Sequence, residues 1–328
     1  MKPFAYQRPA TAEKAVSLAA QPGARYLGGG TNLVDLMKLG VEAPGFLVDV
    51  TGLGLDTVTD TPDGVLIGAT VRNSDLAADP GIRRRYPVLS QALLAGASGQ
   101  LRNMATVAGN LLQRTRCLYF QDVTKACNKR LPGSGCPART GIHHDLAILG
   151  ASEHCMATHP SDMCVALTAL DATVHVVDDQ GFRELPITSL FRLPGDDPAK
   201  ETVLGAGDLI VGVTLPALPM AVNSRYRKAR DRASYAFATG SVAAVLDVDD
   251  GVVADVRIAL GAVAPVPWRA RRAEQSLIGQ PAVARSFRAA ADAELEAADA
   301  LPQNGYKIPL LRNLITSTLT ELTEAGRA

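Results

Sequence analysis

The 328-residue sequence predicts an α+β protein with two domains, and three observations support this prediction. A strand–turn–helix–strand order at residues 24–50 is typical of α/β architecture. Pro216 and Pro219, with small residues between them, interrupt the pattern and mark a domain boundary. Beyond them, a hairpin is followed by three helical patterns. We therefore expect a first domain at 1–218 and a second domain at 219–328.

The first domain opens with short elements whose limits are set by capping and turn residues. Thr11 is placed to cap a helix that ends near Ala20, because a threonine hydroxyl accepts a bond from a free helical N–H group. Residues 24–27 predict a strand, which leads through a glycine turn into a helix ending near Leu39. The apolar run at 46–50 predicts the next strand, so this segment forms one β–α–β unit.

Proline, glycine and serine residues punctuate the rest of the first domain. The turn at 62–64, Pro-Asp-Gly, predicts a hairpin. A proline at the favoured first helical position opens a predicted helix at 87–97, and a serine caps the helix predicted at 161–170. Strands are expected at 173–177 and at 209–215.

The second domain combines one hairpin with a group of helices. Apolar residues alternate on both sides of Asp249-Asp250-Gly251, which predicts a β-hairpin over 242–260. Helical patterns follow at about 268–278, 281–299 and 308–325. An antiparallel sheet backed by three helices is therefore the expected arrangement.

Composition gives no reason to expect nucleic acid or a membrane as a partner. The formal net charge is zero, whereas binding to phosphate backbones or anionic lipids favours a basic surface. No apolar run approaches the roughly 18–20 residues of a membrane span. Residues 1–9 lack the hydrophobic core of an export signal. We therefore expect a cytoplasmic protein, or a periplasmic one exported in the folded state with a signal-bearing partner.

All five cysteines lie between Cys117 and Cys164, within a loop-like stretch that interrupts an otherwise ordinary α/β pattern. Clustering is what a metal centre requires, because its thiolates must converge on one point, whereas cysteines used as core filler are scattered. The gaps of 10, 9, 19 and 9 residues do not form the close Cys-x2–4-Cys pairs of most zinc sites. An iron–sulfur cluster tolerates wide and irregular spacing.

Three alternatives to an iron–sulfur cluster remain open at this stage. Disulfides need an oxidising compartment, and a chain of this length does not depend on them for stability. Zinc is a second alternative, which the histidines near the cysteines favour. Buried cysteines with no common ligand are the third. The expected ligands of an iron–sulfur cluster are the four cysteines that lie among loop residues: Cys117, Cys127, Cys136 and Cys155. Cys164 falls in a helical pattern and is expected to be buried there.

Two loops of small residues could hold a dinucleotide. Gly28-Gly29-Gly30-Thr31-Asn32 lies between a strand and a helix, where backbone N–H groups can approach a phosphate. It is neither a Walker loop nor the dinucleotide fingerprint, because Leu33 occupies the third glycine position. Ala105-Thr106-Val107-Ala108-Gly109-Asn110 is a second such loop. Either loop alone is also compatible with an ordinary tight turn.

Taken together, these motifs resemble those of the FAD-binding subunit of the xanthine dehydrogenase (molybdenum hydroxylase) family. Residues 26–33, Tyr-Leu-Gly-Gly-Gly-Thr-Asn-Leu, resemble the first flavin pyrophosphate loop of that family, and residues 102–111 resemble the second. Ala108 replaces a glycine that is usual in the second loop. Ser161-Asp162 resembles a Ser-Asp pair that contacts the flavin nucleotide. Ile210 and Lys228 match positions that approach the isoalloxazine ring.

The resemblance covers essentially the whole chain and implies a specific fold. It implies a two-lobed FAD-binding domain of the vanillyl-alcohol-oxidase (PCMH) type, followed by an antiparallel sheet with a three-helix bundle, as in CO dehydrogenase flavoproteins. It also implies the set of FAD-binding residues: Tyr26, Leu27, Gly28, Gly29, Gly30, Thr31, Asn32, Leu33, Thr106, Gly109, Asn110, Asp162, Ile210 and Lys228.

Most members of the family lack a cysteine insertion, which lies here at about 113–157 and which the resemblance implies to hold a [4Fe–4S] cluster. The members that have it resemble two groups, namely periplasmic-type aldehyde oxidoreductases and the β subunit of 4-hydroxybenzoyl-CoA reductase. The sequences around Asn128-Lys129-Arg130 and His143-His144-Asp145 are more similar to the aldehyde group.

The resemblance implies an oxidoreductase subunit with no substrate site of its own. A large partner subunit would oxidise the substrate at a molybdenum cofactor, and a small partner would carry [2Fe–2S] clusters. Electrons would then reach FAD on this chain and leave to an external acceptor. A 4-hydroxybenzoyl-CoA reductase-like β subunit is the alternative within the family. A zinc-stabilised binding module without flavin is the alternative from another class.

Overall fold

Three separate sheets organise the chain in the computed structural model, which describes residues 1–325. The first sheet is parallel, with strand order β1-β3-β2, and it uses β1 (Ala5–Gln7), β2 (Ala24–Leu27) and β3 (Phe46–Asp49). Two helices connect these strands, namely α1 (Ala12–Ala19) and α2 (Leu33–Leu39). This unit is the first lobe.

The second lobe is built on a five-stranded antiparallel sheet of order β4-β5-β8-β6-β7. Its strands are β4 (Val58–Thr61), β5 (Gly64–Gly68), β6 (Thr173–Asp178), β7 (Gly181–Pro186) and β8 (Leu209–Pro216). Helices on this lobe are α3 (Asn73–Ala78), α4 (Pro80–Arg85), α5 (Pro87–Ala95), α6 (Gly99–Arg102), α7 (Val107–Leu111), α9 (Asp162–Ala169) and α10 (Ile187–Leu190). The cysteine insertion contains α8 (Leu118–Gln121) and one 3-10 turn, and otherwise consists of turns.

The C-terminal domain is a four-stranded antiparallel sheet of order β12-β11-β10-β9, backed by three helices. Its elements are β9 (Ser224–Ala229), β10 (Gly240–Asp249), β11 (Val252–Gly261), β12 (Trp268–Arg269), α11 (Arg271–Leu277), α12 (Ala284–Leu295) and α13 (Lys307–Ala325). None of the helices within residues 1–325 combines the length and apolar character that crossing a membrane requires.

The predicted α+β architecture is confirmed, and most predicted elements lie where the sequence places them. The Thr11 hydroxyl caps α1 by accepting a hydrogen bond from the backbone N–H of Lys14. The β10–β11 hairpin turns at Asp250 and Gly251, which both have positive φ as such turns require. The first C-terminal helix begins at Arg271 rather than near Trp268, because Trp268 and Arg269 pair with β11 as a short strand.

Two hydrophobic cores connect the second lobe, the insertion and the C-terminal domain. Side chains of α5 and α9 pack between the second-lobe sheet and the C-terminal sheet, where they meet Ala243, Val245 and Ala259. A further core lies between the C-terminal sheet and its helices, and it includes Ile148 and Leu149 from the end of the insertion. Apolar burial of this kind contributes about 25 cal/mol per Å², so the insertion is fixed against the C-terminal domain.

Lys307, at the start of α13, is fully buried and binds two backbone carbonyls from different parts of the chain. Its Nζ donates to the carbonyl oxygen of Asp145, in the insertion, at 2.9 Å. It also donates to the carbonyl oxygen of Ala262, just after β11, at 2.7 Å. Burial lowers the pKa of Lys307 to about 8, with Asp145 opposing the change.

Replacing this lysine should therefore change how stability depends on pH. The unfolded chain, with an ordinary lysine pKa of 10.5, binds the proton more tightly than the folded chain, whose lysine has a pKa of about 8. Between these values, stability relative to Lys307→Met should rise with pH, by up to about 3 kcal/mol at roughly 1.4 kcal/mol per pKa unit. Urea unfolding of both proteins at about pH 7.5 and about pH 10 measures this. A difference that stays constant with pH would contradict the assignment.

Candidate functional site

A crevice of about 670 Å³ lies where the two lobes, the insertion and the C-terminal domain meet. The first lobe contributes Thr31, Asn32 and Asp35, directly after β2. The second lobe contributes residues of α3, α5, α6 and α7. The insertion and the segment 228–241 of the C-terminal domain form the remaining walls. The volume lies within the range of ligand-binding pockets.

The two glycine-containing loops pack backbone against backbone beside this crevice. A Cβ on Gly29 would overlap the carbonyl oxygen of Met104, and one on Gly28 would lie 2.7 Å from the Thr106 hydroxyl. Gly30 has a φ of +73°, a conformation that side chains with a Cβ rarely adopt. These glycines therefore let the two loops approach each other more closely than any other residue would allow.

Polar side chains tie the second loop to its neighbours. The Thr106 hydroxyl caps α7 by accepting from the backbone N–H of Gly109 at 3.3 Å. The Asn110 amide oxygen accepts from the Ser161 hydroxyl at 2.8 Å. On the first loop, the Asn32 amide oxygen accepts from the backbone N–H of Arg114 at 2.9 Å. The insertion is thus anchored to the first loop, and α9 is anchored to the second.

A buried polar triad lies at the floor of the crevice, where two of its members, Asp162 and Lys228, line the space. Asp162 accepts hydrogen bonds from Lys228 Nζ at 2.8 Å and from the Tyr226 hydroxyl. Lys228 Nζ also donates to the carbonyl oxygen of Ala95 at 3.2 Å. Burial and the Asp162 carboxylate raise the pKa of Tyr226 well above its usual value, so the phenol keeps its proton. The Lys228 ammonium group is thus paired with the Asp162 carboxylate.

The residues that the sequence assigns to FAD binding fall into two groups. Those that line the crevice are Thr31, Asn32, Gly109, Asn110, Asp162 and Lys228. Those that lie outside its lining are Tyr26, Leu27, Gly28, Gly29, Gly30, Leu33, Thr106 and Ile210. Of the second group, Tyr26 donates a hydrogen bond to the carbonyl oxygen of Gly207 at 2.6 Å, and Ile210 lies in the second-lobe core.

Several residues that line the crevice carry no signal in the sequence. Asn73 is buried at the start of α3, and its amide oxygen has no hydrogen-bond partner among the described residues. Tyr235 and Phe237 lie on the segment after β9 and are about half exposed. The Arg116 guanidinium lies 4.8 Å from the centre of the Phe237 ring. Only Arg116, beside Cys117, could have been suspected from sequence position.

Four of the five cysteines line a second, much smaller cavity of about 10 Å³ inside the insertion. Cys117 and Cys155 are buried there, and Cys127 and Cys136 are partly exposed. Cys164 is fully buried in the core between the second lobe and the C-terminal domain, and it does not line this cavity. The loop residues Asn128, Ala126 and Ala138 complete part of the wall.

Hydrogen bonds within the insertion fix the loops that carry these cysteines. The Ser134 hydroxyl accepts from the backbone N–H of Cys127 at 3.0 Å, and the Asn128 side chain accepts from Gly135 N–H at 2.7 Å. The Arg130 guanidinium donates to the carbonyl oxygens of Tyr119 and Phe120 at 2.9 and 2.6 Å. The cavity is therefore a structured part of the fold.

Burial raises the pKa of the thiols around the small cavity. The Cys117 pKa is raised to about 11, and those of Cys136 and Cys155 are also raised. Thiolates at this place therefore need positive charge to form, which metal ions supply. Within residues 1–325, however, no three His, Cys, Asp or Glu side chains are arranged to hold one metal ion.

The histidines in and next to the insertion have separate environments. His143 is buried, and its Nδ1 lies 3.2 Å from the carbonyl oxygen of Ala138. His154 lines the cysteine cavity, whereas His159 lines the large crevice. Burial lowers the pKa of His159 to about 4, so its ring is neutral at physiological pH. None of these rings completes a metal site with the cysteines among the described residues.

Cys117 and Tyr119 line both cavities. The chain segment that carries the first cysteine is therefore the partition between the crevice and the cysteine site.

Comparison with known sequences identifies the family of the chain. Residues 2–218 match the FAD binding domain in molybdopterin dehydrogenase, and residues 224–322 match the CO dehydrogenase flavoprotein C-terminal domain. The chain belongs to this flavoprotein family. It is therefore an oxidoreductase subunit with an FAD-binding domain, and the alternative of a binding module without flavin is wrong.

Individual relatives support the same assignment. The chain is 50% identical to the aldehyde oxidoreductase FAD-binding subunit PaoB of Escherichia coli K12, over 98% of each chain. It is 26% identical to the glyceraldehyde dehydrogenase medium chain of Sulfolobus acidocaldarius, over 84% of this chain and 82% of that one. Among solved structures, carbon monoxide dehydrogenase from Hydrogenophaga pseudoflava has the same fold, with a TM-score of 0.75 at 24% identity, over 97% and 96% of the two chains.

Gly29→Ala should weaken retention of FAD, because the added Cβ forces the two loops apart at Met104. Overpacking of this kind costs about 1–3 kcal/mol, which corresponds to roughly 5- to 150-fold weaker binding. The ratio of flavin to protein after purification and dilution measures the loss.

Gly45→Ala is the matched control, since a Cβ at Gly45 meets no atom within 4 Å and the residue has no positive φ. It should retain FAD like the unaltered chain. Equal flavin content in both variants would show that close packing of the loops is not required for binding.

Proposed function

We propose that this chain is the FAD and iron–sulfur electron-transfer subunit of a molybdenum-dependent aldehyde oxidoreductase complex. The 50% identity to an aldehyde oxidoreductase FAD-binding subunit, over nearly the full length of both chains, supports this choice. In this proposal a large molybdenum-cofactor subunit oxidises the aldehyde, and a small [2Fe–2S] subunit passes electrons to FAD on this chain. The three chains form a heterotrimer, and an external acceptor removes the electrons.

The observation that carries the proposal is the shared wall between the two cavities. Cys117, an expected cluster ligand, lines the crevice as well as the cysteine cavity. Two redox groups bound in these places would be separated by one short segment of chain. FAD can exchange electrons singly, and iron–sulfur clusters carry one at a time. A cluster beside FAD therefore suits single-electron transfer.

The donor set favours a cluster over a single ion. Four thiols surround one small space, and each ligand of a four-iron cluster binds a different iron, so the sulfurs lie further apart than they do around one zinc. The cavity of about 10 Å³ would have to widen to admit a cluster.

The chain's own residues would bind and orient the flavin. The packed glycine loops bring backbone N–H groups towards the pyrophosphate, as at other helix N-termini. Asp162 and Lys228 form a neutral buried pair at the floor of the crevice, which can donate and accept hydrogen bonds without adding net charge. Tyr235 and Phe237 lie where they can limit access of water. Ile210 contributes through the core behind the crevice.

Single Cys→Ala variants test the cluster. Replacing Cys117, Cys127, Cys136 or Cys155 should each remove the four iron atoms of one cluster, because thiolate is the ligand that such clusters require. Iron and zinc are counted per protein chain, since Cys117 also borders the flavin crevice.

Cys164→Ala is the internal control, because Cys164 lies in the core and outside the cysteine cavity. It should retain the cluster with normal iron content. Loss of iron in this variant, together with retention in any of the other four, would overturn the ligand assignment. If the unaltered protein contains zinc instead of iron, this result would contradict a redox role for the insertion.

A further inference from the structure

Lys129 is a buried cation in the wall of the cysteine cavity. Its residue exposure is only 8%, and it lines the cavity together with the four thiols. The other basic lining residue is His154, whose side chain is about half exposed. Lys129 is therefore the one lysine or arginine among the residues that line this cavity, all of which the structure describes.

A chain of ion pairs holds this lysine in place. Lys129 Nζ lies 3.0 Å from a Glu201 carboxylate oxygen and donates to the carbonyl oxygen of Pro198 at 3.1 Å. Glu201 also accepts from Arg114 Nε at 2.6 Å, and Arg114 reaches Glu42 at 2.6 Å. Burial opposes ionisation of Glu201, but Lys129 and Arg114 together lower its pKa. Glu201 does not line the cavity, so the cation lies on the cavity side of the pair.

Burying an ammonium group costs free energy even when it is paired. Packing does not require a charge here, because an apolar side chain of similar length would fill the same space. A fixed cation beside a redox centre, by contrast, has a direct electrical effect. A cluster that accepts one electron becomes more negative by one charge, and a nearby cation in a low-dielectric environment stabilises that form.

We propose that Lys129 raises the reduction potential of the iron–sulfur cluster, and that Glu201 limits the increase. In the transfer itself, the cluster gains one electron and the reduced FAD loses one. Lys129 is thus a residue that sets a potential without touching a reacting atom. It favours electron flow from FAD to the cluster over flow in the reverse direction. This inference rests on the proposed function, because it requires a cluster at the four cysteines.

The test is a redox titration of the purified complex, in which the low-temperature EPR signal of the reduced cluster is followed. Lys129→Met should lower the midpoint potential, and Glu201→Gln should raise it. We expect each change to be about tenfold in the equilibrium constant for reduction, which is about 59 mV for one electron. Lys129→Arg keeps the charge and should remain near the unaltered value.

Lys200→Met is the matched control. Lys200 is adjacent to Glu201 in sequence, but its side chain is largely exposed and pairs with Asp197 at 3.3 Å. Solvent screens such a charge, so the potential of the cluster should not change in this variant.

Opposite shifts in Lys129→Met and Glu201→Gln support an electrostatic role, because a structural defect would move both in the same direction. Equal potentials in all variants, or shifts of the same sign, would overturn the inference. If Lys129→Met loses the cluster, the test uses the other two variants. Glu201→Gln should still raise the midpoint potential, and Lys129→Arg should leave it near the unaltered value. Absence of any cluster signal in the unaltered complex would instead contradict the proposed function.

Discussion

Every residue of α9, Asp162–Ala169, is buried, so this helix cannot move without disturbing each part that packs on it. At its start, Ser161 bonds to Asn110 of the second glycine loop, and Asp162 accepts from Lys228 of the C-terminal domain. At its end, Arg269 donates to the carbonyl oxygen of Thr168 and to Asp171. The crevice keeps its shape on this side because α9 fixes the second lobe against the C-terminal sheet.

Local rules in the sequence were sufficient for many of the elements and for six of the predicted residues that line the crevice. The Thr11 cap and the Asp250-Gly251 turn depend on residues within a few positions of each other, which sequence patterns report directly. The walls of the crevice depend on contacts between distant segments. Nothing in the sequence around Phe237 indicates that it stacks on Arg116, because that contact exists only after the C-terminal domain has docked.

The insertion likewise has features that the local sequence predicts and contacts between distant segments that it does not. Clustering of cysteines in the sequence indicated a common site, and the helical pattern around Cys164 indicated that this residue would be buried elsewhere. The ion pairs behind the cavity could not have been predicted. Lysines are usually exposed, and Lys129 finds Glu201 only because the chain returns to the insertion 72 residues later.

The partition at Cys117 and Tyr119 has a consequence for both cavities. Tyr119 holds the far side of the insertion through its hydroxyl, which accepts from the backbone N–H of Ile142, and Ile142 also borders the crevice. One segment therefore lines both cavities. A change of side chain in this segment would therefore alter the lining of both cavities at once.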